Sequence, residues 1–135
     1  MLTDRSRQTK AEANIQEKKQ FIDTLVNEKF ENDKVMIGTG SCALPDAIDL
    51  TRYSVEAGIY DCLILPPFYY KNPKDEGLFA YFSEIIQKVA NEKLKIQIYH
   101  FPAVSQIPIS HKLIEMLLKE YPENITGIKD SRMLF

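Results

Sequence analysis

Four apolar runs, at residues 34–38, 61–65, 95–99 and 124–130, recur at roughly thirty-residue spacing, the length of one strand–helix–strand repeat. Each pair is separated by a stretch with helical periodicity. Few folds accept this rhythm. Strands joined through helices pair in parallel by right-handed crossovers, and helices then cover the sheet. The run at 61–65, Asp61-Cys62-Leu63-Ile64-Leu65, is continuous rather than alternating, as a strand covered on both faces should be. The fold class is α/β with parallel strands.

The intervening helices follow from spacing. Ile15, Phe21, Ile22, Leu25 and Val26 share one face of a first helix that starts near Asn14 and frays near Phe30. Pro45 suits the first turn of a second, with Asp46 at its positive end. Its buried face comprises Ala47, Ile48, Leu50, Thr51, Val55 and Ala57, and Gly58 stops it. Leu78, Phe79, Phe82, Ile85, Ile86 and Val89 define a third. Ser110 is the N-cap of a fourth, whose Leu113, Ile114, Leu117 and Leu118 face the core until Tyr121-Pro122.

A chain of 135 residues suits one domain. Residues 1–13 lack periodicity and read as a disordered lead-in, leaving 14–135 as the domain. The net charge of −2 gives no electrostatic case for nucleic acid or an anionic membrane. The first ten residues are polar and basic, unlike a signal peptide or anchor, and no later stretch is long enough to span a bilayer. A cytoplasmic protein is expected. Cys42 and Cys62 match no zinc or redox spacing and read as reduced, packed thiols; a disulfide is the alternative, without a pattern to support it.

Lys129 is the residue that a strand has no local need for. Side chains alternate along strands, so Lys129 shares a face with Gly127, and Tyr99 shares one with Gln97. Neighbouring strands lie about 4.8 Å apart. If these two are neighbours, Lys129 and Tyr99 stand side by side at the carboxyl ends, where parallel α/β folds bind ligands. Desolvation lowers an amine's pKa and frees the neutral form to attack a carbonyl carbon, while a phenol passes protons. The bland alternative, a lysine snorkelling from a strand end beside an ordinary rim tyrosine, is the commoner arrangement. Gly38-Thr39-Gly40-Ser41 has the makings of an anion cradle but lacks a P-loop lysine or a full dinucleotide fingerprint. Tyr69-Tyr70 suits loop packing or proton relay. His100 and His111 read as rim or surface residues, and no metal-ligand constellation stands out.

Taken together, Ile37-Gly38-Thr39-Gly40-Ser41, Pro67-Phe68-Tyr69-Tyr70-Lys71, Glu76-Gly77-Leu78, Ile98-Tyr99-His100-Phe101-Pro102 and Gly127-Ile128-Lys129-Asp130 resemble the dihydrodipicolinate synthase / N-acetylneuraminate lyase family. The resemblance covers residues 34–131. It implies a (β/α)8 TIM barrel of which this chain holds roughly strands three to six, making 14–135 an incomplete barrel domain. It also implies a class I aldolase: Lys129 forms a Schiff base with pyruvate or another 2-oxo acid, an aldehyde is the second partner, and no cofactor is needed. Tyr99 matches the proton-shuttling tyrosine, Tyr70 a second tyrosine that in several members reaches a neighbouring subunit's site, and Gly38-Thr39-Gly40 the substrate-binding loop after the third strand. The intact protein would be a homo-oligomer.

Departures from the family pattern matter too. The Gly-Thr-Thr-Gly-Glu motif that binds the pyruvate carboxylate is echoed only by Thr9-Lys10-Ala11-Glu12-Ala13-Asn14. Lysine-biosynthesis members usually carry an arginine where this chain has Val104, and valine makes no bidentate clamp. Gln106 stands where glycine is common. The missing arginine at Val104 points to the sugar-acid or 2-oxo-acid aldolase branches. Two other classes compete. One is a non-catalytic half-barrel, a fragment or decayed paralogue that is unstable or pairs with another chain. The other is a flavodoxin-like binding domain, with helices on both faces of an open sheet.

Overall fold

A computed structural model describes residues 15–29, 35–40, 43–66, 74–100 and 109–130. The chain order is α1 (Ile15–Asn27), β1 (Met36–Gly38), α2 (Leu44–Glu56), β2 (Asp61–Ile64), α3 (Asp75–Val89), β3 (Lys95–His100), α4 (His111–Glu120) and β4 (Ile125–Asp130). The lead-in expected over residues 1–13 lies outside the described residues, as do Cys42, Tyr69, Tyr70, Val104 and Gln106.

All strand pairings are parallel, and the sheet order is β1-β2-β3-β4. That order decides between the two α/β architectures. Sequential strands linked by crossovers of one hand keep every helix on the same side, whereas a flavodoxin-like sheet reverses direction part-way. The helices pack in the same sequence, α1 on α2, α2 on α3 and α3 on α4. The architecture is four strands and their helices of a partial (β/α)8 barrel.

The helix-facing side of the sheet carries Ile37, Cys62, Ile64, Ile96, Ile98 and Ile125, each at most 4% exposed. Phe82, Ile85, Leu113 and Leu117 close over them from α3 and α4. A second cluster joins Ile22 and Leu25 of α1 to Leu50, Ile37 and Ile59. Val26 and Leu118, expected in the core, are 42% and 44% exposed. They lie on the outermost helices, which have a described neighbour on one side only, so part of each apolar stripe meets no partner.

Several ends form as the residue types require. Pro45 sits in the first turn of α2, where a missing N–H costs nothing. Gly58, with φ 94°, closes the same helix. Its N–H donates to the Val55 carbonyl at 3.0 Å, and that of Ile59 to the Ser54 carbonyl at 2.9 Å, which is the Schellman pattern. Ser110 caps α4, its Oγ accepting from the Leu113 N–H at 3.0 Å. One irregularity interrupts the sheet, a register shift between Ile96 and Gln97 where β3 meets β4.

Candidate active site

The face of the sheet turned away from the helices carries Gly38, Leu63, Gln97 and Gly127 in one register layer. The next paired layer, toward the carboxyl ends, holds Tyr99 on β3 and Lys129 on β4 as direct partners. The Lys129 Nζ lies 5.4 Å from the centroid of the Tyr99 ring, within cation–π range. Both side chains are half-buried. A primary amine and a phenol thus share a rim position at the strand ends.

Among the sequence candidates, Lys129 and Tyr99 come together, and the Gly38-Thr39-Gly40 segment lies at the carboxyl end of β1. Gly38 ends that strand. The Thr39 N–H donates to the Leu63 carbonyl at 3.1 Å, continuing the pairing to β2. Gly40 then passes so close to β2 that an added Cβ would meet the Leu65 nitrogen at 3.0 Å and its carbonyl oxygen at 3.3 Å. Backbone atoms cannot give way, so a side chain there would displace the loop. Tyr70 lies outside the described residues.

Thr39 itself sits beneath the site rather than on its surface. It is fully buried, and the Thr51 hydroxyl of α2, equally buried, donates to its Oγ1 at 2.8 Å. The adjacent polar atoms form a chain: the Cys62 thiol donates to Ser54 Oγ at 3.9 Å, and the Ser54 hydroxyl donates to the Ile59 carbonyl at 2.8 Å. Burial pushes the Cys62 thiol up to about 11, against opposing hydrogen bonds from Ser54 and Thr39. Such a thiol is packed and unreactive at neutral pH.

Two features escaped the sequence reading. Thr51 was placeable on the buried face of α2, but its partner twelve residues away was not. The Ser110 hydroxyl, besides capping α4, donates to Asp75 Oδ1 at 2.8 Å, and so braces the starts of α3 and α4 together. The signal for a cap was present, whereas nothing marked Asp75 as its second partner. His111 is exposed at the start of α4. No group of three or more His, Cys, Asp or Glu side chains among the described residues is arranged to hold a metal ion.

The sequence model of the Dihydrodipicolinate synthetase family matches residues 10–133. The chain is 32% identical over 117 residues to a 4-hydroxy-tetrahydrodipicolinate synthase of Thermus thermophilus, covering 87% of this chain and 38% of that protein. It superposes on the 2-keto 3-deoxygluconate aldolase of Picrophilus torridus with a TM-score of 0.75 at 25% identity, covering 88% of this chain and 40% of the other. A prophage protein of the dihydrodipicolinic acid synthase family from E. coli K12, solved in complex with pyruvate, gives a TM-score of 0.74 at 25% identity, covering 87% and 38%. The chain therefore spans about a third of the length of the curated relatives it matches.

Proposed function

The chain belongs to the Dihydrodipicolinate synthetase family of lyases and aldolases, and from that premise we propose that it carries the imine-forming half of a class I aldolase site for pyruvate or another 2-oxo acid. The observation that supports this reading most directly is the pairing of Lys129 with Tyr99 at the carboxyl ends of β3 and β4. An amine there reaches a carbonyl carbon entering from the open end of the strands.

The chemistry follows from the groups present. The Lys129 amine adds to the ketone carbon of the 2-oxo acid, giving a carbinolamine. Tyr99 passes the proton that lets water leave, and the protonated imine results. That imine draws in the electron pair of the carbon–carbon bond as an aldehyde departs, or delivers it as one adds. Tyr70 is the second tyrosine of this proton path. The Gly38-Thr39-Gly40 loop, at the carboxyl end of β1, is the substrate-binding segment of this reading. The Thr39 hydroxyl is engaged below with Thr51 and its N–H with Leu63, so its own contribution is to shape the loop.

Val104 favours a sugar-acid or general 2-oxo-acid aldolase over the lysine-biosynthesis reaction, because a second substrate carboxylate has no arginine fork there. A homo-oligomer working in the cytoplasm completes the reading of the intact protein. No helix among the described residues is long and apolar enough to cross a membrane. Size measurement of the intact protein in solution tests the oligomer, and a monomer rejects it.

Pyruvate with borohydride tests the chemistry on this chain. The expected product is a reduced adduct, found by peptide mass on Lys129 and absent from Lys129→Ala. A folded sample that takes no label argues for the second reading, a non-catalytic half-barrel. The observation favouring that alternative is the exposure of Leu118 and Ile128, at 44% and 40%, near the β4 edge. It predicts self-association that a Leu118→Lys substitution weakens.

A further inference from the structure

We propose that a β-bulge at Thr126, pinned by the Thr126 hydroxyl, turns Lys129 onto the face of the sheet that Tyr99 occupies. This deepens the reading of Lys129 as the imine-forming residue and rests on it for its catalytic meaning. Thr126 is then a positioning residue, acting through the lysine.

Along a regular strand, residues two apart share a face. Ile125, Gly127 and Lys129 would then stand together. Ile125, however, is 4% exposed, packs in the helix-side core and pairs with Ile96. Regular alternation from that point would send Lys129 into the helix layer and bring Ile128 to the open face. The ladder breaks instead. Ile96 pairs with Ile125, but the next residue, Gln97, pairs with Gly127, and Thr126 is left over. One extra residue inverts the facing of everything beyond it. Ile128 therefore pairs with Ile98, and Lys129 with Tyr99. Only an insertion between Ile125 and Lys129 achieves both a buried isoleucine and an open-face lysine.

Hydrogen bonds hold the break in place. The Thr126 hydroxyl donates to the Ile96 carbonyl at 3.3 Å, at the point where the register shifts. Just before it, the Ile96 N–H donates to the Asn124 carbonyl at 2.6 Å, and Asn124 Nδ2 donates to the Leu94 carbonyl at 2.8 Å. β4 is thus clamped to β3 just before the extra residue and at it. Thr126 is itself exposed, so its packing contributes little to holding the bulge, and the hydroxyl adds a side-chain tie to the neighbouring strand.

The Tyr99 ring supplies a readout independent of catalysis, because its ring current shifts the Lys129 ε-methylene resonances upfield. The full chain is compared with a Thr126 deletion, Thr126→Val and Thr126→Ser. The deletion is expected to abolish the upfield shift and to lower pyruvate–borohydride labelling at least tenfold. Thr126→Ser should keep both signals. Thr126→Val should lose about half of the shift and raise the pyruvate concentration for half-maximal labelling severalfold. Leu117→Ala, destabilising but remote, should leave the shift intact. A folded deletion variant that keeps the parent's shift overturns the proposal. If the deletion variant does not fold, identical shifts in the valine and serine variants overturn it. A parent that shows the shift but takes no pyruvate removes the imine reading while leaving the positioning of Lys129 by Thr126 standing.

Discussion

The Thr51 hydroxyl donates to Thr39 Oγ1 at 2.8 Å with both side chains fully buried, so that α2 holds the segment following β1 from below. Removing one partner of a buried hydrogen bond leaves the other unsatisfied, at a cost of about 1–3 kcal/mol. Thr51→Val should lower stability by that amount, and Thr51→Ser by less. Pairing Thr51→Val with Thr39→Val should recover part of the loss, because an apolar pair of the same shape leaves no orphan. Urea denaturation reads all four chains. An unchanged midpoint in Thr51→Val would show that the bond contributes nothing.

Ala90 ends α3 in the left-handed region, at φ 52° and ψ 45°, its N–H donating to the Ile86 carbonyl at 3.0 Å. A Cβ in that conformation costs about 1–2 kcal/mol, and glycine avoids it at some expense in chain entropy. Ala90→Gly should therefore raise stability by about 0.5–1 kcal/mol. Gly58→Ala, at the corresponding end of α2, should lower it by about 1–2 kcal/mol. Melting temperatures moving in opposite directions are the expected result; parallel shifts would contradict it.

The architecture was legible because the thirty-residue rhythm leaves only the order of the strands to settle, and sequential order is its simplest outcome. The inner stripe of α1 was readable at Ile22 and Leu25 but overextended at Val26, since periodicity shows what is apolar and not how wide the covering neighbour is. Counting back from Lys129 to Gly127 on a regular strand suffices to set the lysine opposite Tyr99. That count stops short of Ile125, which the bulge separates from it. Gly127 is the one local hint of a bulge in Ile-Thr-Gly-Ile, since an isolated glycine in a strand pattern often marks one; the burial of Ile125 together with the pairing beyond it reveals it. The Thr39–Thr51 contact and the adjacent Ser54–Cys62 contact were hidden for a related reason. Nothing in the local spacing pairs these residues, and the partners meet only when β1, α2 and β2 pack.

Lys18 on α1 has a lowered pKa because burial penalises its charge, with the Asp46 carboxylate of α2 pulling the other way. The folded chain therefore gives up this proton at a lower pH than the unfolded chain, whose lysine titrates near 10.5. Between the two values the unfolded state binds more protons, so this residue makes stability rise with pH through the window below 10.5. Lys18→Met should be more stable than the parent at neutral pH. The gain should stay below about 1 kcal/mol because the side chain remains partly in water, and it should shrink as pH nears the upper end of the window. Denaturation of both chains across that range checks the sign. A gain that grows with pH would refute the assignment.

Cys62 has the opposite linkage. Its folded thiol is held up to about 11 from an ordinary value of 9.0, because burial on β2 disfavours the thiolate. The unfolded chain loses this proton first as pH rises, so the folded state binds more protons between 9.0 and about 11. Stability from this residue is fully present below pH 9.0 and falls across that interval, by an amount on the order of 2–3 kcal/mol at its upper end. Cys62→Ala should carry a roughly constant packing cost at every pH while losing this descent, so the two stability curves converge above pH 9.0. The same burial predicts that iodoacetamide modifies Cys62 only as fast as the chain opens, with the rate rising steeply near the urea midpoint. Peptide mass mapping after timed labelling measures this, and prompt alkylation of Cys62 in the native chain at neutral pH would place the thiol at the surface instead.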